Sequence, residues 1–386
     1  QDVKGKVVVV SRGVLGFVDK IANAQQNGAK AIIIFNGQAK SSDSTQANLS
    51  EAIPGYDGYI NSNQGDNVDY IPTFDMIGKE GRALARQIIE GQNHKQKFFI
   101  TFGEEYRRTD NPGNTMAGFS SRGPNGDELL SIKPDVSAPG VGIMSTYPAF
   151  AKFYPGASYA QAYKRSNGTS MASPHVAGLA VLLKQEHPNW TPFDIRAALA
   201  NTSVTLYDED KTQYDVYSQG AGLVNIANAI QTPALLETVE KITILDKNFN
   251  RQEVVNYNPS ASFGVLRPGS DAKQIQLQLK NLSANPVQYE ASYVLHDKVT
   301  SDPTKPIATP DVSNIAVQLQ GVGANGSISA EPGKSQPFFL SVQPSANAAT
   351  GVYEGEVILK SAEQPTLHLP FVVHVGKENP TTGFGL

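Results

Sequence analysis

Ser170 stands in the string NGTSMASPHVAGLAVLLK, Asn167 to Lys184, directly after a glycine turn and at the head of a strongly apolar stretch. A hydroxyl at a helix N-terminus lies beside backbone N–H groups that have no partner within the helix. Such groups can hydrogen-bond the oxyanion that forms when a serine attacks a carbonyl, so the placement suits nucleophilic acyl transfer. It suits a plain N-cap as well, and the residue types alone leave both readings open. Bases for such a nucleophile are scattered. His175 is five residues on, about 140° around the same helix, and His187 lies about 25 Å along it, so neither is expected to reach the hydroxyl. His94, His296, His368 and His374 fall in other regions, read as surface or strand residues, and do not cluster for a metal.

The elements that would position Ser170 follow from spacing. A helix is expected from Ser170 to about Glu186, with small residues (Ala172, Ser173, Ala177, Gly178, Ala180) admitting close backbone and Val176, Leu179, Leu182 and Leu183 giving a buried surface; it should be central. A second helix should open at TPFD, with Thr191 as N-cap, Pro192 at the first position and Asp194 closing the cap. Upstream, KVVVV at 6–10, an amphipathic stretch through Phe17, Ile21 and Ala24, and AIIIF at 31–35 read as β-α-β, with Gly28 as a left-handed helix cap. A helix over 79–90 should end at Gly91, and IPTFDMI at 71–77 and KFFITF at 97–102 should be strands. The turn-rich TDNPGNT at 109–115 marks a boundary. From about Leu235 the period becomes two, as where Ile275, Leu277 and Leu279 alternate with Gln274, Gln276 and Gln278. Further strands are expected at 287–295, 337–343, 352–360 and 366–375, with a turn at EPGK, which favours a β-sandwich and then a polar tail.

Composition narrows the function classes. The 386 residues imply two or three domains, and the net charge of −4, with no run of basic residues, gives no footprint for nucleic acid or anionic lipid. No stretch has the roughly 18–20 consecutive apolar residues of a membrane span. With zero cysteines, thiolate catalysis, thiolate metal sites and disulfides are excluded.

The string GTSMASPHVAG resembles, almost letter for letter, the active-serine motif of the subtilase family, with Ser170 at the nucleophile position. FSSRGP at 119–124 and IKPDVSAPG at 132–140 resemble the segments that precede that serine in the family. The resemblance implies a multidomain α/β plus β architecture. Residues 1–106 are similar to a protease-associated (PA) domain, 107–234 to the C-terminal part of a subtilisin-like α/β parallel-sheet catalytic domain, and 235–376 to a fibronectin-III-like β-sandwich, with 377–386 as tail. It also implies structural roles for His175, for Asp135 and for Arg122 as a loop tether. Calcium, which many subtilases bind, is a structural possibility at Asp208, Glu209 and Asp210, although a short acidic run is usually solvated; no cofactor is required.

Subtilisin-type enzymes carry their triad in the order Asp, His, Ser. No D-T/S-G string, no H-G-T-H-V string and no A-G-N segment for an oxyanion asparagine occurs here. The resemblance therefore implies a C-terminal portion of a secreted serine endopeptidase, acting on protein or peptide substrates when joined to an upstream segment carrying Asp, His and Asn, and inactive alone. The alternative is a noncatalytic binding or structural fragment, or a complementing subunit.

Overall fold

The computed structural model describes residues 2–58, 70–103, 113–147, 162–301 and 308–377. Most of the boundary at 109–115 and nearly all of the tail at 377–386 lie outside the described residues. The chain is mixed α/β and divides into two compact units, one within 1–110 together with 142–167, the other within 111–141 together with 168–386.

In the first unit, β1 (Val7–Ser11), α1 (Phe17–Gln26) and β2 (Ala31–Phe35) form the expected parallel β-α-β turn. Every residue of β2 is buried because α1 covers the sheet through Ile21 and Ala24. Gly28 takes φ +77°, the left-handed value its cap position requires. A small hairpin, β3 (Ala39–Lys40) and β4 (Asp43–Ala47), follows, and β5 (Thr73–Met76) completes a three-stranded sheet in the order β1-β2-β5. Helix α2 (Gly78–Asn93) runs through Gly91 instead of stopping there. The glycine has a packing role: a Cβ on it would come within 2.3 Å of the Phe98 ring. Residues 97–102, expected as a strand, are exposed coil with Phe102 stacked on Phe74 at 4.5 Å. Alternation is poor there, since three large apolar residues are consecutive. Arg82 of α2 is fully buried, donating to the carbonyls of Ser50 and Tyr56 and pairing with Asp57, so it pins the 48–58 loop. A ribbon of β6 (Ile143–Thr146) and β7 (Tyr163–Ser166) also belongs to this unit.

The second unit contains α3 (Thr169–Glu186), α4 (Pro192–Asn201), α5 (Val216–Gln219) and α6 (Ile226–Gln231). The cap of α4 is as expected: the Asp194 N–H donates to Thr191 Oγ1 at 3.2 Å and the Thr191 N–H to Asp194 Oδ2 at 2.8 Å. The strands that follow are β8 (Ala234–Leu245), β9 (Arg251–Asn258), β10 (Ala261–Leu266), β11 (Lys273–Asn281), β12 (Val287–Leu295), β13 (Ile315–Gln320), β14 (Ser327–Ala330), β15 (Ser335–Pro344), β16 (Gly351–Lys360) and β17 (Leu367–Val375). They form two five-stranded sheets, β13-β15-β11-β8-β9 and β10-β17-β16-β12-β14, whose inner faces share one apolar core. Period-two alternation sets this up, since Leu277 and Leu279 enter the core while Gln276 and Gln278 point away.

No linker separates helices from sheets. On β8, Leu236 enters the core between the sheets while its neighbour Leu235 packs with Leu183, Trp190, Ala197 and Ala229 of the helical layer. Asn201, at the end of α4, is buried and bridges both sheets, donating to the carbonyls of Leu236 and His368 and accepting from the Leu236 N–H.

Candidate active site

Ser170 is the second residue of α3 and is exposed. Gly168, the N-cap, has φ +155°, which favours glycine, and its N–H donates to the Gly140 carbonyl at 2.8 Å. A Cβ on Gly140 would meet the Gly168 carbonyl at 2.8 Å, so both glycines are needed for the approach. This contact joins the IKPDVSAPG segment to the serine turn. FSSRGP is joined in turn: the Gly123 N–H donates to the Tyr217 carbonyl at 3.0 Å, and a Cβ on Gly123 would lie 2.4 Å from the Lys133 carbonyl. The three strings recognised in the sequence thus form one structure around the head of α3. Pro174 has no N–H, so the Ser170 carbonyl lacks its usual helical donor.

Helix α3 is less enclosed than its composition suggests. Leu183 is buried and Val176 and Leu179 pack against the helical layer, but Ser173, Pro174, Ala177, Gly178, Val181 and Leu182 form an exposed stripe running from Ser170. Val181 is 66% exposed and Leu182 48%, so the expectation that Leu182 is buried and the helix central is corrected: the described residues of this unit cover one side of α3.

The histidines of this unit are all engaged away from Ser170. His175 Nδ1 lies 2.8 Å from the Met171 carbonyl, and His187 bonds the Ile230 carbonyl at 2.8 Å while stacking on Trp190 at 3.9 Å. His374 shares a 2.7 Å bond with the Tyr217 hydroxyl. His94 belongs to the first unit, as the C-cap of α2. Asp135 is held by Arg196 at 2.6 Å and Lys133 at 2.9 Å; burial pushes its pKa up, but these cations outweigh it and leave the carboxyl below its ordinary value. Arg122 donates to Ser218 Oγ and the Ser301 carbonyl, tying its loop to α5. The Asp208 carboxylate accepts from the Thr212 N–H and the Thr300 hydroxyl, and among the described residues no group of three metal-ligating side chains forms.

One constellation escaped sequence reasoning. Ser203 Oγ lies 3.1 Å from His368 Nε2, and His368 Nδ1 lies 2.8 Å from Glu356 Oε2, the distances of a serine-hydrolase triad. It cannot act as one. Nε2 also faces the Ser203 carbonyl at 3.0 Å, which only accepts, so Nε2 carries the proton and has no lone pair for the hydroxyl. Ser203 and His368 are buried besides. The cluster continues through His296, 3.0 Å from Glu354 and 4.0 Å from Glu356, and Glu354 Oε2 accepts from the Val216 N–H of α5. Burial pushes His296 down, but the two glutamates outweigh it and raise its pKa to about 9; burial likewise pushes Glu356 up, and the two histidines bring it down to about 2. Asp215, the cap of α5, is raised to about 6, chiefly by burial. These groups form a charged seam between the helical layer and the sheets. Their partners lie up to 165 residues apart in the chain, so no local pattern announces the seam.

Comparison with known proteins agrees with the strings around Ser170. The family model described as the subtilase family matches residues 17–223. The chain is 29% identical over 378 residues to the minor extracellular protease Vpr of Bacillus subtilis (strain 168), covering 97% of this chain and 38% of that protein. It is 31% identical over 263 residues to a subtilisin-like protease of Glycine max, covering 63% of this chain and 32% of the relative, and 28% identical over 353 residues to the C5a peptidase of Streptococcus pyogenes, covering 84% and 26%. The chain thus spans well under half the length of these relatives. A family match over more than half of its residues, which includes the turn that carries Ser170, means that the chain belongs to the subtilase family of serine proteases.

Proposed function

We propose that this chain is the nucleophile-bearing part of a secreted subtilisin-like serine endopeptidase. The single observation that carries the reading is Ser170 itself, exposed at the head of α3 on a turn that glycines 140 and 168 hold in place. Ser170 Oγ attacks the scissile carbonyl carbon and passes its proton to a histidine of an upstream segment, which an upstream aspartate orients. The oxyanion is held by the Ser170 N–H and an upstream asparagine. The C–N bond breaks, the histidine returns the proton to the leaving amine, and water then releases the acyl group. The bare stripe of α3 supports a missing neighbour, as does the span of 38% of the Vpr protease.

The region to residue 106 serves in this reading as a PA domain restricting access to the cleft, the helical region of 107–234 as the later part of the peptidase domain, and the fibronectin-III-like sandwich as its support. The extracellular relative supports secretion in this reading. The isolated chain is inactive because its histidines are committed elsewhere. The test is labelling by a fluorophosphonate probe of the chain alone and of the chain joined to the residues that precede it in its reading frame. Labelling of the joined protein alone, lost in Ser170→Ala, is the expected result. No labelling of the folded joined protein would overturn the protease reading and leave a noncatalytic scaffold.

A further inference from the structure

Strand β8 outruns its sheet. Its pairing with β11 covers Ala234 to Thr238, whereas its pairing with β9 continues from Thr238↔Asn258 to Leu245↔Arg251. Beyond Thr238 the described partner of β8 is β9 alone, so seven residue pairs form a two-stranded ribbon reaching about 20 Å past the sheet. A two-stranded ribbon without a third strand or a covering layer is at best marginally stable in water. This one is rich in charge, with Glu240, Lys241, Arg251 and Glu253, yet it also exposes Val255 and Leu245 on one face, Ile242 and Ile244 on the other, and Phe249, 82% exposed, at its tip. Such apolar surface on a ribbon marks an interaction site.

The direction of the ribbon identifies the occupant. Residues 235, 237, 239, 241, 243 and 245 share one face of β8, and the first of them, Leu235, is buried in the helical layer. Tyr257, across from Val239 on that face, packs edge-on against Phe193 of α4 at 5.8 Å and beneath the Lys280 ammonium. Beside it, Arg196 of α4 donates to Asn258 at 2.9 Å. The face is therefore an established interface with the helical layer as far as Tyr257, and it runs on through Val255 and Leu245, set among Lys241, Thr243, Arg251 and Glu253, with nothing described against it. The same helical layer leaves the α3 stripe bare. Among the described residues both the α3 stripe and this face are uncovered, and one further body packing on the helical layer would cover both.

We infer that the β8–β9 ribbon is a docking strap for the part of the subtilase domain that precedes this chain, which packs on the Val239, Val255 and Leu245 face as a continuation of the α4 layer. The inference rests on the reading of the chain as the later part of a peptidase. By it, the sandwich clasps the other part of the catalytic domain directly and does more than support the part seen here.

Hydrogen exchange read by mass spectrometry, on this chain alone and on the chain joined to its preceding residues, tests the strap. Amides of residues 239–245 and 251–257 should exchange at least about tenfold more slowly in the joined protein. The double variant Leu245→Lys, Val255→Lys should abolish that slowing while leaving exchange elsewhere in this chain unchanged, since both side chains are exposed here. Fluorophosphonate labelling on the same samples keeps the two claims apart. Labelling without ribbon protection overturns the strap and leaves the protease reading intact, whereas protection without labelling does the reverse. Protection that grows with the concentration of this chain alone would assign the ribbon to a second copy and overturn the strap.

Discussion

The charged seam makes the second unit sensitive to alkali. His296 is buried, with Glu354 beside Nδ1 and Glu356 beside Nε2, and its pKa of about 9 lies above the unperturbed 6.5. A histidine raised on folding contributes stability that is complete below the unfolded pKa and is lost as pH rises through the folded one. The shift from 6.5 to about 9 corresponds to about 3 kcal/mol at 1.36 kcal/mol per unit. The loss should therefore fall between pH 6.5 and 9. Of the neighbouring groups, Glu356, at about 2, is ionised throughout that window, Asp215, at about 6, completes its ionisation at the lower edge, and His374 is lowered by burial. Trp190, the single tryptophan, is buried in the helical layer and reports the unfolding of this unit. Urea unfolding followed by its fluorescence should give a stability that declines with pH across the window, by up to about 1.4 kcal/mol per unit. His296→Gln should be less stable by about 3–5 kcal/mol at pH 6.5, because two glutamates lose a buried cation, and its stability should be nearly level from pH 6.5 to 9. A wild-type stability that does not change across the window, or a variant with the wild-type slope, would refute the account.

Other outcomes follow from single contacts. Arg82→Leu strands the carbonyls of Ser50 and Tyr56 beside an unpaired Asp57, so the first unit should lose about 3 kcal/mol or more, read as faster proteolysis within 48–58. Asn201→Leu removes three buried bonds between α4 and both sheets and should cost about 2–4 kcal/mol by Trp190 fluorescence. Gly140→Ala forces a Cβ against the Gly168 carbonyl, which should lower stability by about 1–3 kcal/mol and slow probe labelling of Ser170 in the joined protein, with circular dichroism unchanged.

Legibility followed the range of the signal. The β-α-β turn, the α4 capping box and strands β12, β15, β16 and β17 depend on neighbours in sequence, and spacing located them within a residue or two, whereas the short strands β13 and β14 escaped it. Helices α5 and α6 are too short for a period to register. The 97–102 segment has strand composition, but pairing decides strands, and composition does not supply a partner. Gly91 illustrates a second kind of error, since a glycine near a helix end can serve a ring seven residues away as well as a cap. Around Ser170 the motif strings gave the turn, while the glycine contacts joining 140 to 168 and 123 to 133 needed coordinates. The Ser203, His368 and Glu356 cluster was invisible because its members are ordinary residues until folding brings them together.

The continuity of β8 with both cores fixes an order of events during synthesis. Leu235 belongs to the helical layer and Leu236 to the sheets, and Asn201 and Ser203 are completed by His368. The helical layer that carries Ser170 is therefore unfinished when that residue leaves the ribosome, and it stays so until β17, ending at Val375, has emerged. At about 5–20 residues per second that interval is on the order of 10–40 s. A nascent chain that already carries Ser170 is thus without the finished layer around it until these strands have emerged.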